Sequence, residues 1–261
     1  MPDKRLVGAS FGRAAPRYDR VAELQRSVGE ALLADLRGRA GVPATIVDVG
    51  AGTGFFAACL LEVFPSTRLI ALDLAEGMLR QMRGRPNLAG RSWLVCGDAE
   101  SLPLADQSAD VVFSNLALQW CSDLPAVFAE FRRILRPGGL ALFSSFGAQT
   151  LIELREAWRQ VDDYSHVNAF CPRDKVDEAL QGAAFDEYAV RSSTVVLGYP
   201  GVEALMRELK DLGAHNVTLN RPRHLMGKGR LRKMIAAYGG SMSDGPITAS
   251  FEIFYGCAKR R

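Results

Sequence analysis

The sequence predicts an α/β fold: a doubly wound, Rossmann-like seven-stranded sheet with an antiparallel last strand, an N-terminal helical cap and an inserted helical lid. Three observations predict it. Between residues 44 and 146 short apolar runs alternate with helical stretches, the signature of parallel strands joined by helical crossovers. A glycine turn, Gly50–Gly54, follows the first apolar run. Acidic residues, Asp73 and Asp98, stand just where the second and third runs end.

The elements follow in order. The first forty residues are read as helical, ending at Gly38 and at Gly41-Val42-Pro43. Ala44–Val49 is a continuous apolar run, as expected of a strand buried on both faces. After the glycine turn a helix runs to about Phe64, and Pro65 stops it. Thr67–Asp73 is the second strand, Glu76–Arg83 a helix, Arg91–Cys96 the third strand and Ala109–Ser114 the fourth. Leu124–Leu135 is helical and ends at the breaker Arg136-Pro137-Gly138-Gly139, before a fifth strand over Leu140–Phe146. Beyond Phe146 the alternation loosens. Leu151–Val161 is an amphipathic helix, with further helical pieces around 172–181 and 201–212. Glu187–Leu197 and Ser250–Ala258 read as strands, the latter closing the sheet edge as a hairpin with the former. No linker separates a second domain, so 1–261 is expected to be one unit. Residues 1–40 form its cap, 44–146 its ligand-binding core, and 147–185 and 201–240 inserts that face substrate or partner.

Composition excludes several classes. Of 261 residues 48% are hydrophobic and 23% charged, too apolar for a disordered chain. There is no apolar run of about 18 residues to span a membrane. No apolar stretch follows the basic N-terminus as a secretory signal would require. The five cysteines are dispersed without a C-x-x-C pair, which argues against a disulfide framework or zinc site and for a reducing, cytoplasmic setting. A net charge of +3 is too small to predict nucleic-acid binding. Its distribution is uneven. Arg207, Lys210, Arg221, Arg223, Lys228, Arg230, Arg232 and Lys233 outweigh Glu203, Glu208 and Asp211 in 201–233, a patch able to steer an acidic partner or simply a solvated helical face.

The sharpest chemical signal is Asp48-Val49-Gly50-Ala51-Gly52-Thr53-Gly54. Such glycines allow a tight turn and close backbone approach to a ligand at a helix N-terminus. A dinucleotide fingerprint needs Gly or Ala at position 55, where this chain has Phe55, so a nicotinamide dehydrogenase is disfavoured. The glycine loop has no Walker lysine, which argues against a nucleoside triphosphate. Asp73, about 20 residues on, is placed to accept both hydroxyls of a ribose. Asp98 can accept a hydrogen bond from the exocyclic amine of adenine, although it would also serve as a helix N-cap. Together these residues resemble the first motifs of class I S-adenosylmethionine (SAM) methyltransferases, over about 44–146. The resemblance implies SAM as cofactor, with S-adenosyl-L-homocysteine as product. It implies that Asp48, Gly50, Gly52 and Gly54 surround the methionine part. Asp73 then takes the ribose beside Leu74 and Met78, Asp98 and Ala99 frame the adenine, and Asn115 and Leu116 lie near the methyl donor. Met78 suits a core position equally well.

Further segments narrow the resemblance. They are Ser114-Asn115-Leu116-Ala117-Leu118-Gln119-Trp120-Cys121, Thr150-Leu151-Ile152-Glu153-Leu154-Arg155-Glu156-Ala157-Trp158 and His166-Val167-Asn168-Ala169-Phe170. With Phe11, Ala14-Ala15, Tyr18-Asp19, Leu24-Gln25, Leu209-Lys210, Gly213-Ala214 and Asn216, they resemble the BioC family, the malonyl-[acyl-carrier protein] O-methyltransferases of biotin synthesis. The family's usual Cys in the glycine motif is Ala51 here. The resemblance implies methylation of the free carboxylate of a malonyl thioester. The ester, its charge masked, then passes through fatty-acid elongation toward a pimeloyl thioester.

That carboxylate is ionised at pH 7 and needs no general base. Catalysis then asks for alignment and exclusion of water. An anionic acceptor does call for a cation, and Arg155 is the first candidate because a guanidinium grips a carboxylate in a fork. Lys210 is the second. His166 and Asn168 are candidates to hydrogen-bond the thioester or carboxylate, and Tyr18, with Gln25 behind it, to close over SAM. Trp120 and Phe170 are candidate walls of a dry pocket. The expected partner is malonyl-acyl carrier protein, or malonyl-CoA, with no nucleic acid and no membrane. Docking charges are expected in 201–233 and at Arg13, Arg17 and Arg20. Two rival readings stay open: a carboxyl methyltransferase for a free small diacid, and a SAM-binding assembly factor that methylates nothing.

Overall fold

The computed structural model describes residues 3–214, 227–239 and 246–261. One sheet has the strand order β3-β2-β1-β4-β5-β7-β6. Strands β1 (Thr45–Val49), β2 (Arg68–Asp73), β3 (Ser92–Cys96), β4 (Ala109–Ser114) and β5 (Leu135–Phe146) are mutually parallel. β7 (Ile247–Lys259) runs antiparallel between β5 and β6 (Glu187–Tyr199).

Period-two alternation builds the core. Ile46, Val111, Phe113 and Leu142 pack on one face with α2 (Glu23–Arg39), α3 (Phe55–Val63) and α4 (Glu76–Arg83). Val47, Val112, Phe143 and Phe254 pack on the other, with α5 (Leu124–Ile134) and α7 (Arg173–Gly182). Burying a ring such as Phe113 stabilises by roughly 1.5–3 kcal/mol. Because the five parallel strands share one direction, their carboxyl ends form a single edge, where such sheets bind ligands.

Three expectations need correction. The last strand is not the edge, since β7 is inserted and β6 is outermost. Phe251, Ile253, Phe254 and Ala258 are buried on both faces, as an interior strand demands, while most of β6 is partly or fully exposed. Arg136-Pro137-Gly138-Gly139 does not lie between helix and strand but within β5. Leu135 pairs with Ala109 and Leu140 with Val111, so the insertion bulges out of the ladder. Gly138, at φ 84°, donates its N–H to the carbonyl of Arg260 and so keeps the bulge hydrogen-bonded. Within 147–185, only the first part leaves the sheet layers. α6 (Ile152–Arg159) packs against α9 (Lys228–Gly239), whereas α7 packs on α5 as an ordinary crossover helix. The N-terminal forty residues are helical as expected, in two helices, α1 (Lys4–Val21) and α2, that meet at Ala22.

Candidate active site

The β1–α3 turn carries Gly50, Gly52 and Gly54 at φ 76°, 57° and 84°, a backbone that side chains rarely adopt. Their roles differ. A Cβ on Gly50 would stand 2.3 Å from that of Ala117, and one on Gly54 would meet Met82 and Leu88. A Cβ on Gly52 would meet no protein atom within 4 Å. Gly50 and Gly54 therefore serve packing, whereas Gly52 opens onto a hollow that only a ligand fills. Gly54 was expected to face the methionine part, yet it lines neither hollow there and caps α3 instead.

Two adjoining hollows sit over this turn. The larger is lined by Leu74, Met78, Asp98, Ala99 and Leu116, and by Lys4 and Phe11 from α1. The smaller holds Asp19, Gln25, Asp48 and Thr53. Tyr18, Gly50, Gly52 and Asn115 belong to both. Asp73 ends β2 with Oδ2 accepting from Gly52 N (2.8 Å) and Oδ1 from Ala75 N (2.7 Å). A carboxylate has about four acceptor positions, so each oxygen keeps one for a ribose hydroxyl. Asp98 is shared: its Oδ2 lies 2.5 Å from Lys4 Nζ, which also reaches Glu100 at 2.5 Å. Its Oδ1 accepts from Glu100 N (3.0 Å), so any amine it accepts from adenine meets a carboxylate with both oxygens already engaged. Asn115 is spent on structure, donating to the Gln25 carbonyl and accepting from Ser144 Oγ. Leu116 turns the chain at φ 48° with its N–H held by Ser144.

Helix α1 roofs these hollows. Asp19 accepts from Thr53 Oγ1 (2.6 Å) and pairs with Arg85 (2.5 Å), which in turn donates to the Thr53 carbonyl. This clamp of Asp19, Thr53 and Arg85 went unread in the sequence because its members are far apart along the chain. Burial, with Asp73 and Asp19 nearby, drives the Tyr18 phenol upward, so it stays protonated and able to donate.

Two acceptors here lack partners. Asp48 is 2% exposed and its Oδ2 has no hydrogen bond, and neither does Gln25 Oε1. Burial, reinforced by the Asp73 charge, pushes the Asp48 carboxyl up to about 8. Unpaired acceptors in a closed hollow suit a ligand bearing positive charge and N–H donors. The methionine end of SAM carries both, a sulfonium and an ammonium, so the residues present fit that cofactor.

A third hollow continues from this end. It shares Gln25 with the smaller hollow and Trp120 with the larger. Its apolar walls include Phe146, Leu154, Phe170 and Phe251, and its polar groups are Thr150, His166, Asn168 and Glu208. Trp120 and Phe170 thus stand where a dry pocket needs walls. Glu208 was not foreseen as a site residue. It accepts from Tyr199 Oη (2.8 Å), and burial raises its carboxyl. Arg155 and Lys210 are not among the lining residues. Arg155 donates from Nη2 to the Ala148 carbonyl, its Nε is buried without a partner, and burial lowers its pKa. Lys210 is exposed in the last turn of α8 (Val202–Asp211). Asn216, Arg221 and Arg223 lie outside the described residues.

Parallel strands with an antiparallel β7, a glycine turn opening onto a hollow, and a carboxylate ending β2 define a class I SAM-dependent methyltransferase. The methyltransferase domain family matches residues 47–143. The malonyl-[acyl-carrier protein] O-methyltransferase of Methylococcus capsulatus is 52% identical over 97% of this chain and 92% of that protein. The biotin biosynthesis bifunctional protein BioHC of Cellvibrio japonicus is 43% identical over 97% of this chain and 49% of its own length. Phosphoethanolamine N-methyltransferase 2 of Haemonchus contortus, solved with S-adenosyl-L-methionine, shares the fold. Its TM-score is 0.60 at 17% identity, over 96% of this chain and 57% of that one. The chain belongs to the malonyl-[acyl-carrier protein] O-methyltransferase family.

Proposed function

We propose that the protein methylates the free carboxylate of a malonyl thioester on acyl carrier protein, using SAM, as an early step of biotin synthesis. The observation that carries this reading is the junction of the hollows. The apolar third hollow meets the methionine end at Gln25 and the larger hollow at Trp120, beside where a methyl acceptor must arrive. SAM, when bound, supplies a methyl group activated on a cationic sulfur.

The chain's own residues need only bind, orient and dry the acceptor. Malonyl carboxylate is already ionised, so no base is required. The Cys121 thiol, raised by burial to about 12, is no nucleophile at neutral pH. Asp48 and Gln25 hold the methionine end, Tyr18 donates from above, and Phe146, Phe170 and Phe251 exclude water. His166 and Asn168 are assigned to the acceptor. Arg155, bound to the Ala148 carbonyl, is assigned to holding that turn, and Lys210 to the surface facing the carrier. The exposed cations of α9, Lys228, Arg232 and Lys233, join that surface. The reading also implies a cytoplasmic enzyme, consistent with five free cysteines.

The test supplies labelled SAM with malonyl-carrier protein, malonyl-CoA and free malonate. Label is expected in the malonyl-carrier ester. Label confined to free malonate would establish the small-diacid reading. Tight SAM binding with no labelled acceptor would establish the assembly-factor reading.

A further inference from the structure

The acceptor hollow poses an electrostatic problem. Its substrate, on the function proposed above, is an anion, yet among the described residues no lysine or arginine lines it. Its one acid, Glu208, adds the wrong sign when ionised. His166 is the only basic side chain in the described wall. Its ring lies flat on Trp158, with centroids 3.7 Å apart and planes within 7°. Its Nε2 is 2.7 Å from Oδ1 of Asp162, four residues earlier in sequence. Both side chains are nearly buried, at 6% and 13% exposure. Asp162 Oδ1 also accepts from Tyr164 N (3.1 Å), so this oxygen is fixed by two donors. Asp162 Oδ2 is buried without a hydrogen bond, and Arg230 of α9 stands 3.8 Å from it. The carboxyl sits below its usual range: burial opposes this, and the His166 hydrogen bond, Tyr164 N and Arg230 outweigh it.

We propose that Asp162 is a positioning residue for methyl transfer, clamping His166 against Trp158 so that the second ring nitrogen, Nδ1, serves the acceptor carboxylate. The chemistry follows from counting donors. Nε2 faces the Asp162 carboxylate, so Nδ1 is the one ring nitrogen left to meet the acceptor, and an N–H there is a single donor. A single donor engages one carboxylate oxygen and leaves the other free to attack the methyl group. A guanidinium fork would hold both oxygens and blunt the nucleophile. Arg230, 3.8 Å from the other Asp162 oxygen, offsets part of the Asp162 charge near the acceptor. The acceptor is thus oriented without being neutralised. Arg230 also ties the dyad to α9, whose outer face carries the carrier-docking cations proposed above.

The inference rests on the proposed acceptor, and its test separates the two. Steady-state kinetics with malonyl-carrier protein are measured for wild type, Asp162→Ala, Asp162→Asn, His166→Ala and the Asp162→Ala/His166→Ala double variant, with SAM affinity followed by calorimetry. Asp162→Ala should lower kcat/KM by about tenfold or more, the scale of a charged hydrogen bond. SAM affinity should stay within twofold of wild type. Asp162→Asn should lose less, because its amide oxygen still accepts from Nε2. On the His166→Ala background, removing Asp162 should cost less than a further twofold, since residues acting through one another are not additive. Equal losses with and without His166, unchanged acceptor kinetics, or SAM affinity falling in step with turnover would each overturn the assignment. If Asp162→Ala does not fold, the same cycle is run with Asp162→Asn, and a coupling factor of one overturns it. A wild-type protein that binds SAM but leaves malonyl-carrier unmethylated defeats the function and this assignment together. Wild-type turnover with an additive cycle defeats the assignment alone.

Discussion

In the ligand-free protein Asp48 should hold a proton at pH 7, and SAM should expel it. With its carboxyl at about 8, roughly 0.9 of the molecules carry that proton at pH 7. An opposite charge brought within about 4–6 Å lowers a carboxyl by about 1–3 units. Binding should therefore release between roughly 0.4 and 0.9 proton per site. The assay is calorimetric titration of SAM in buffers of different ionisation enthalpy, whose slope of heat against that enthalpy counts protons. Asp48→Asn, similar in shape but without a titrating proton, should flatten the slope and weaken binding. Stability gives a second readout with a definite sign. An acid whose folded value lies above its unfolded 3.8 destabilises the fold as pH rises through that interval, and the penalty is absent below it. At pH 7 the penalty is on the order of 4 kcal/mol. Asp48→Asn should raise the Tm of the ligand-free protein at pH 7 and lose that advantage toward pH 4. A flat slope in the wild type, or the same slope in the variant, would refute the assignment of Asp48 to the cationic end of the cofactor.

Four further outcomes are expected. Gly52→Ala should weaken SAM binding by tenfold or more with a stability loss of about 1 kcal/mol, because its Cβ projects into the hollow. Gly54→Ala should instead lower Tm, by about 1–3 kcal/mol of stability, since its Cβ meets Met82 and Leu88; thermal melts and calorimetry separate the two. Charge reversal at Lys228, Arg232 and Lys233 should raise KM for malonyl-carrier protein, increasingly at low salt where the Debye length exceeds about 10 Å, and leave malonyl-pantetheine unaffected. An equal change for both substrates would remove α9 from the docking surface. Arg155→Ala should lower Tm, with loss of about 1–2 kcal/mol, while changing the acceptor KM less than twofold; a tenfold rise would make it a ligand of the carboxylate.

The sequence by itself determined the parallel strands, the glycine turn and the place of Asp73, because each depends on local signals: apolar runs of strand length, a backbone only glycine tolerates, and a fixed distance from turn to strand end; the order of the last two strands it did not. Gln25 was singled out only through family resemblance, and its unpaired Oε1 at the junction of two hollows is a fact of packing. What only the tertiary structure decided is which neighbour each polar group meets. Lys4 and Asp98 are remote in sequence yet joined, and Gly54 answers to Met82 rather than to a ligand. Arg155, the natural choice for an anion, is directed to the Ala148 carbonyl, while His166 lines the acceptor wall. Asp162 and His166 sit at a legible four-residue spacing, but no helix α6 or α7 contains them. Their pairing depends on Trp158 and Arg230, supplied by α6 and α9, and long-range packing of that kind leaves no periodic trace in a chain.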